Sequence, residues 1–406
     1  TLFTPETEST NRFVKGLKQG LFLKVYGPEW FNSFNTAAPY GQNDGALWQG
    51  KGYNTSLTTG LRLEGYGFEV TFKPQLTFSQ NLVFDYITPA YTGDSYAGKA
   101  DTYGYYGIKY IDTPQRFGNE AFFTFDWGDT ELRYTWNTLT IGFGTQAIWL
   151  GPAQLNPILH SNNAPSYPKV DIGLRRQPIT LPWLDWYIGD IEGRIWTGYL
   201  SESDYFDSDS SNDHNMINAM SLSYAPSFLE GLTLGVNRVF LTKWKLSNLK
   251  YLGELLFISL ENSEQVQGNE NQIVSLTADW IFPKVGFEVY AEIGIDAYVC
   301  GKMGYLRYPF HTLVYTAGLT KTMTLSETKG WHGKLLLEIT NLEMSQDFQF
   351  QWPYTFYAHH QITQGYTNDG QWLGAGNGTG GNSQYLGFTL YYPKGNATIF
   401  LHRSNP

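Results

Sequence analysis

The sequence predicts an all-β protein: a transmembrane antiparallel β-barrel of about eighteen strands, with sixteen the next even count. Three observations lead there. First, residues 286 to 295 alternate without a break. Phe287, Val289, Ala291, Ile293 and Ile295 fall on one side of an extended strand, and Glu288, Tyr290, Glu292 and Asp296 on the other. One face is wholly apolar, the other bears carboxylates, and ~10 residues is the length of a tilted bilayer crossing. Second, aromatics make up 17% of the 406 residues while charged residues make up only 16%, and glycines number 43. Aromatic belts at two membrane interfaces, glycine-rich turns and a polar lumen together give that mixture. Third, short and long connections alternate along the chain.

Taken in order, residues 1–19 form an N-terminal periplasmic segment, of which 6 to 19 can make a short helix, and residues 20–406 form the barrel. Leu61 and Leu63 alternate with Arg62 and Glu64, then Gly65-Tyr66-Gly67 turns the chain into Phe68, Val70 and Phe72. Leu132, Tyr134 and Trp136 alternate with Glu131, Arg133 and Thr135. The second half is more regular. Leu232, Leu234 and Val236 open a strand ending near Leu241, and a polar connection follows to about residue 268. Residues 270 to 281 lead to the turn Phe282 to Gly286. The segment His311 to Leu325 leads to Ser326-Glu327-Thr328-Lys329-Gly330, after which Leu335, Leu337 and Ile339 alternate with Lys334, Leu336 and Glu338. A long aromatic and glycine-rich connection runs to about residue 382. Leu386, Phe388 and Leu390, the turn Pro393 to Asn396, and Ala397, Ile399 and Leu401 complete the chain. Short periplasmic turns and long external loops alternate in this way in outer-membrane barrels, which places the chain in the outer membrane of a Gram-negative-type bacterium.

Composition excludes several classes. The mean hydropathy is −0.32, with no apolar run of about 18 residues, so the pattern is not that of membrane helices. A net charge of −10 argues against nucleic acid as a partner. The single cysteine, Cys300, excludes an internal disulfide framework. Thr1 reads as a mature or trimmed start, so export is inferred from the barrel pattern.

One stretch interrupts the alternation: Trp149-Leu150-Gly151-Pro152-Ala153-Gln154-Leu155-Asn156-Pro157-Ile158-Leu159-His160-Ser161-Asn162-Asn163-Ala164-Pro165, then Pro168 and Asp171-Ile172-Gly173-Leu174-Arg175-Arg176. It resembles the signature of the Wzi family of capsule-assembly outer-membrane proteins: Trp-x-Gly-Pro, then Leu-x-Ser-Asn-Asn-Ala-Pro and a proline-containing run into a strand. The resemblance implies a monomeric eighteen-stranded barrel that binds surface polysaccharide and helps hold the capsule on the cell. This chain is shorter than the enterobacterial members, and its residues 6 to 19 stand where those carry a helical plug. Physically, prolines and Gly-Pro fix turns while Ser161, Asn162 and Asn163 bond neighbouring backbone. Two readings are open: a rigid loop inside or over the barrel, or one whose Trp149, Asn162 and Asn163 also contact sugar.

Other candidates divide similarly. One of the adjacent Arg175 and Arg176 faces the lumen, to grip an anionic sugar or to pair with a carboxylate such as Glu192 or Glu288. Glu288 and Glu292 lie four residues apart on one strand, ~13 Å, against the ~5–9.5 Å of glycosidase pairs, so they read with Arg133 and Glu338 as lumen-lining charges. The acidic run Asp204 to Asp213 has Asn212 and Asn218 where a calcium loop needs Gly and Glu, and reads as a solvated loop. Gly93 to Lys99 is followed by Ala100 instead of Ser or Thr, and His359-His360 has no carboxylate at helical spacing. No metal or cofactor is therefore predicted, and no Gly-x-Ser-x-Gly elbow is present. Trp352, Tyr354, Tyr366 and Trp372, set among amides and glycines, suit sugar rings or pack the barrel mouth. The expected function is non-catalytic polysaccharide binding. A porin lined by Arg133, Glu288, Glu292 and Glu338, or a subunit docking an outer-membrane protein partner, are the alternatives.

Overall fold

The computed structural model describes residues 20–86, 111–207, 209–256, 270–296, 313–343, 356–359 and 361–405. Residues 1–19, Gly93 to Lys99, Cys300, Trp352, Tyr354 and His360 lie outside them. Nineteen strands are described, seventeen of them in one sheet. They are β1 (Leu21–Asn35), β2 (Gly52–Gly65), β3 (Phe68–Phe72), β4 (Gln75–Ser79), β5 (Phe122–Asp126), β6 (Glu131–Trp136), β7 (Leu139–Gly144), β8 (Lys169–Leu181), β9 (Trp186–Ser201), β10 (His214–Pro226), β11 (Leu232–Lys243), β12 (Glu270–Phe282), β13 (Phe287–Asp296), β14 (Leu313–Ser326), β15 (Trp331–Asn341), β18 (Asn382–Tyr392) and β19 (Gly395–Asn405). The remaining two, β16 (Thr367–Asn368) and β17 (Gln371–Trp372), form a separate hairpin.

From β6 onward, each strand of the sheet pairs antiparallel with the next. Two lanes of the wall are interrupted. β2 pairs with β3 along one half and β4 along the other, and β5 and β6 complete the next lane. Pro74 sits at the first break, where a residue without an N–H cannot continue a ladder.

The burial pattern is inverted relative to a water-soluble protein. Along β13, Glu292 is 0% exposed while Ile293 beside it is 38% exposed. The same contrast recurs around the wall: Phe123, Ile141, Ile172, Leu276 and Ile399 face outward and exposed, while Asn54, Thr77, Asn237, Ser275, Thr316 and Glu338 face inward and buried. An apolar belt of this extent is stable only against hydrocarbon. No helix among the described residues is long and apolar enough to cross a membrane; the strands do so.

The interior is not uniformly wet. Toward the long-loop end, Trp196, Leu200, Ile217, Val239, Leu241, Ile273 and Val314 turn inward and pack with Ile158, Leu159, Phe356, Tyr357, Ile362, Tyr366 and Leu373 into one apolar core. Outside the wall at the same end, a 3₁₀ turn (Leu246–Lys250) and α1 (Tyr251–Glu254) fold back on it. Phe240, which alternates with inward Val239 and Leu241, packs there on Tyr251 and Leu255.

Candidate functional site

β7 ends early, at Gly144, which pairs with Lys169 at the start of β8. The connection between them folds into the barrel. Glu338 of β15 accepts hydrogen bonds from three successive backbone amides: Gln154 (2.7 Å), Leu155 (3.1 Å) and Asn156 (2.7 Å). The Tyr290 hydroxyl of β13 donates to the same carboxylate at 2.6 Å. Glu292 accepts from the Ile158 amide at 2.9 Å. Thr316 donates to the Asn156 carbonyl (2.9 Å), and the Asn156 side chain donates to Ser383 (3.1 Å) while accepting from the Gly376 amide (3.1 Å). Successive amides converging on one carboxylate form an anion-binding concavity, and they compensate the cost of burying it.

The motif residues are legible in this light. Gly151 has φ +85°, a backbone conformation that side chains strain, and a Cβ there would press on Glu292 Oε2 at 3.0 Å. Pro152 follows it into the turn, and the Trp149 indole donates to the Ala153 carbonyl at 3.0 Å while 41% of Trp149 stays exposed. Leu159 is fully buried and Ala164 nearly so. Ser161 donates to the Gly374 carbonyl (2.6 Å), and Asn163 donates to Ser161 and Gly374 while accepting the Asn43 amide at 2.7 Å. Asn162, half-buried, donates to the Asn43 carbonyl. The Pro165 carbonyl accepts from Asn368, and that of Pro168 from the Tyr199 amide. His160 hydrogen-bonds the Tyr167 hydroxyl at 2.5 Å; burial, then the nearby Lys169 cation, push its pKa down to about 3, so it stays neutral. The sequence resolved this segment as rigid but not its seat, the two lumen carboxylates.

The arginines are committed to carboxylates. Arg133 contacts both Asp171 oxygens (2.8 and 2.9 Å) and Glu131, and Arg194 joins Asp171 at 2.7 Å. Arg175 and Arg176 sit where the β8–β9 register slips between Leu174 and Gln177. Their partners differ from the expected Glu192 or Glu288: Arg175 pairs with Glu69, which also holds Arg62, and exposed Arg176 pairs with Asp190. Glu288 instead accepts from Thr320 at 2.6 Å. The bulge explains the difference, because it displaces both side chains from regular alternation.

In the last long connection, Tyr366 is 0% exposed, stacked on Tyr357, so it packs the core and has no face to offer a sugar. The Tyr357 hydroxyl donates to the Ile158 carbonyl, joining this connection to the inserted segment. Trp372 remains partly exposed on the β16–β17 hairpin, whose turn residues Asp369 (φ 48°) and Gly370 (φ 76°) have the left-handed geometry such hairpins require. The acidic run caps itself, Asp207 accepting the Asp209 amide and Asp209 the Ser211 amide. No cluster able to hold a metal occurs among the described residues.

A family model for the capsule assembly protein Wzi matches residues 41–403. The fold is similar to that of Wzi from Escherichia coli, described as an outer-membrane protein involved in group 1 capsule assembly and a carbohydrate-binding β-barrel. The TM-score is 0.60 at 13% identity, covering 95% of this chain and 71% of that one. OprB of Pseudomonas putida is a more distant likeness, with TM-score 0.44 and 9% identity over 95% of this chain and 93% of that one. No curated protein sequence matches the chain. An inside-out barrel of the outer-membrane type, carrying the Trp149–Pro165 motif inside it and matched by the family model along most of its length, belongs to the capsule assembly protein Wzi family.

Proposed function

We propose that this protein holds surface polysaccharide at the long-loop end of the barrel, catalyses no reaction, and so supports attachment or assembly of a capsule. The observation that carries this reading is the inserted segment. Glu338 and Glu292 spend their buried charge on its backbone amides, so two side chains expected to line a pore instead fasten a loop across it. A barrel that fills its own lumen with a loop bound at both levels is suited to retaining a polymer at its mouth and ill suited to passive conduction. The description of the E. coli relative as carbohydrate-binding supports the same reading. Of the candidate contacts, half-buried Asn162 and Trp372 and exposed Trp149 keep surface to offer; Asn163 and Tyr366 serve the scaffold, and Arg175 and Arg176 are paired. Deleting the gene should release polysaccharide from the cell surface into the medium, and reintroducing it should restore retention. Unchanged retention, together with no binding of the purified barrel to the cell's own polysaccharide, would refute the proposal.

A further inference from the structure

The seven long connections are residues 36–51, 80–121, 145–168, 202–213, 244–269, 297–312 and 342–381. Their sequences hold seventeen carboxylates against eight lysines and arginines, which accounts for nine of the ten net negative charges of the chain. Among the described residues of these connections, twelve carboxyl groups stand against four lysines and arginines, so acidic residues predominate at the long-loop end. The run 202–213 alone has Asp204, Asp207, Asp209 and Asp213 with no cation, beside Glu202, which keeps its proton.

The described cations of these connections are few, Lys51, Arg116, Lys245 and Lys250, and the arginines are largely occupied. All eight arginines among the described residues are engaged: Arg62, Arg133, Arg175, Arg176 and Arg194 with carboxylates, Arg116 with the Asn81 and Asn119 carbonyls, Arg238 with Gln272 and Arg403 with Asn382 and Gln384. Seven of the eight are paired with a carboxylate or buried; Arg403 is exposed and gives one guanidinium nitrogen to two amide oxygens. The carboxylates at this end press on one another. Burial, then Asp207 and Asp112, push Glu202 up to about 9, and burial, with Asp369 nearby and against two hydrogen bonds donated by Ser203, raises Asp112 to about 7. The same surface also presents neutral groups: the partly exposed amides of Asn162 and Gln371, and the Trp372 ring. Amides pair with hydroxyls and an aromatic face packs on the apolar face of a sugar, and neither needs charge.

We propose, building on the polysaccharide-binding reading, that the polymer held at this end is an uncharged glycan, recognised by amide and aromatic groups, and that the acidic loops exclude polyanionic chains. Like-charge juxtaposition is a means of rejecting wrong partners as well as a failure to attract them.

The test separates surface polysaccharide of the source cell by anion exchange into a neutral, unretained fraction and an acidic, retained one. Each is offered to the immobilised full-length barrel in EDTA, at low and at raised ionic strength, with polygalacturonate as a defined polyanion. The expected result is capture of the neutral fraction with little salt dependence, and at least about tenfold weaker capture of the acidic fraction and polygalacturonate, improving as salt screens the loops. The variant Asp204→Asn, Asp207→Asn, Asp209→Asn, Asp213→Asn should raise capture of polygalacturonate and leave the neutral fraction unchanged. Tighter capture of the acidic fraction in EDTA would overturn this inference while leaving the polysaccharide reading intact. Capture of neither fraction would overturn both.

Discussion

Replacing Glu338 with alanine removes the acceptor of three backbone amides and one tyrosine hydroxyl in a site that is 1% exposed. Hydrogen bonds to a charged group contribute about 1.5–3 kcal/mol each. Because the four share one carboxylate they are not additive, and a loss of about 4–6 kcal/mol for the set is the reasonable expectation. Every 1.4 kcal/mol is tenfold, so the ratio of seated to released loop should fall by about a thousandfold or more. The wall itself does not pass through Glu338 contacts with the loop: β15 keeps its backbone ladders to β14 and β18, so the barrel should still assemble. Planar-bilayer recording reads the difference directly. The native protein should stay silent or nearly so, and Glu338→Ala should show frequent openings, increased further by adding Glu292→Ala. Glu338→Gln keeps one good acceptor oxygen and should fall between. If Glu338→Ala conducts no more than the native protein and melts at the same temperature, the carboxylates do not hold the loop and the account of a sealed lumen is wrong.

Three further outcomes are expected. Gly151→Ala forces a side chain onto a left-handed backbone against Glu292 Oε2 and should cost about 1–3 kcal/mol, read as a lowered thermal midpoint in detergent. Arg133→Ala strands the buried Asp171 and Glu131 with Arg194 alone and should cost about 3 kcal/mol, whereas Arg176→Ala, breaking an exposed pair, should change stability by at most about 1 kcal/mol; equal effects would mean that burial does not set the worth of these pairs. Glu202 keeps its proton in the folded chain up to about 9 against 4.5 ordinarily, so its contribution is complete below the ordinary carboxyl range and is lost as pH rises through 9; Glu202→Gln should flatten that decline in the melting profile.

Much of the wall was legible in the sequence because strands such as β13, β15 and β19 obey a two-residue period and are bounded by short turns like Ser326 to Gly330. The period fails where both faces are covered. Toward the long-loop end of β11, Val239 and Leu241 meet an apolar interior while Phe240 is covered by Tyr251 and Leu255, so alternation disappears there. The interruption between β3 and β4 carried a readable sign in Pro74, and the β16–β17 hairpin another in Asn368-Asp369-Gly370. Inward placement of Glu292 and Glu338 followed from the pattern, but their function did not. Their partners are backbone amides far away in sequence, and a backbone donor leaves no trace in residue identity. The same holds for Arg175 and Glu69, brought together by a slipped register that no local rule announces.

Gly144 and Lys169 stand side by side as a cross-strand pair, so the stretch that fills the barrel leaves and re-enters the wall at neighbouring points. Such a stopper is sewn in at both edges. It cannot be drawn out from one end as a terminal domain can, and any displacement has to proceed as a bowing of the whole span, with its anchor points fixed.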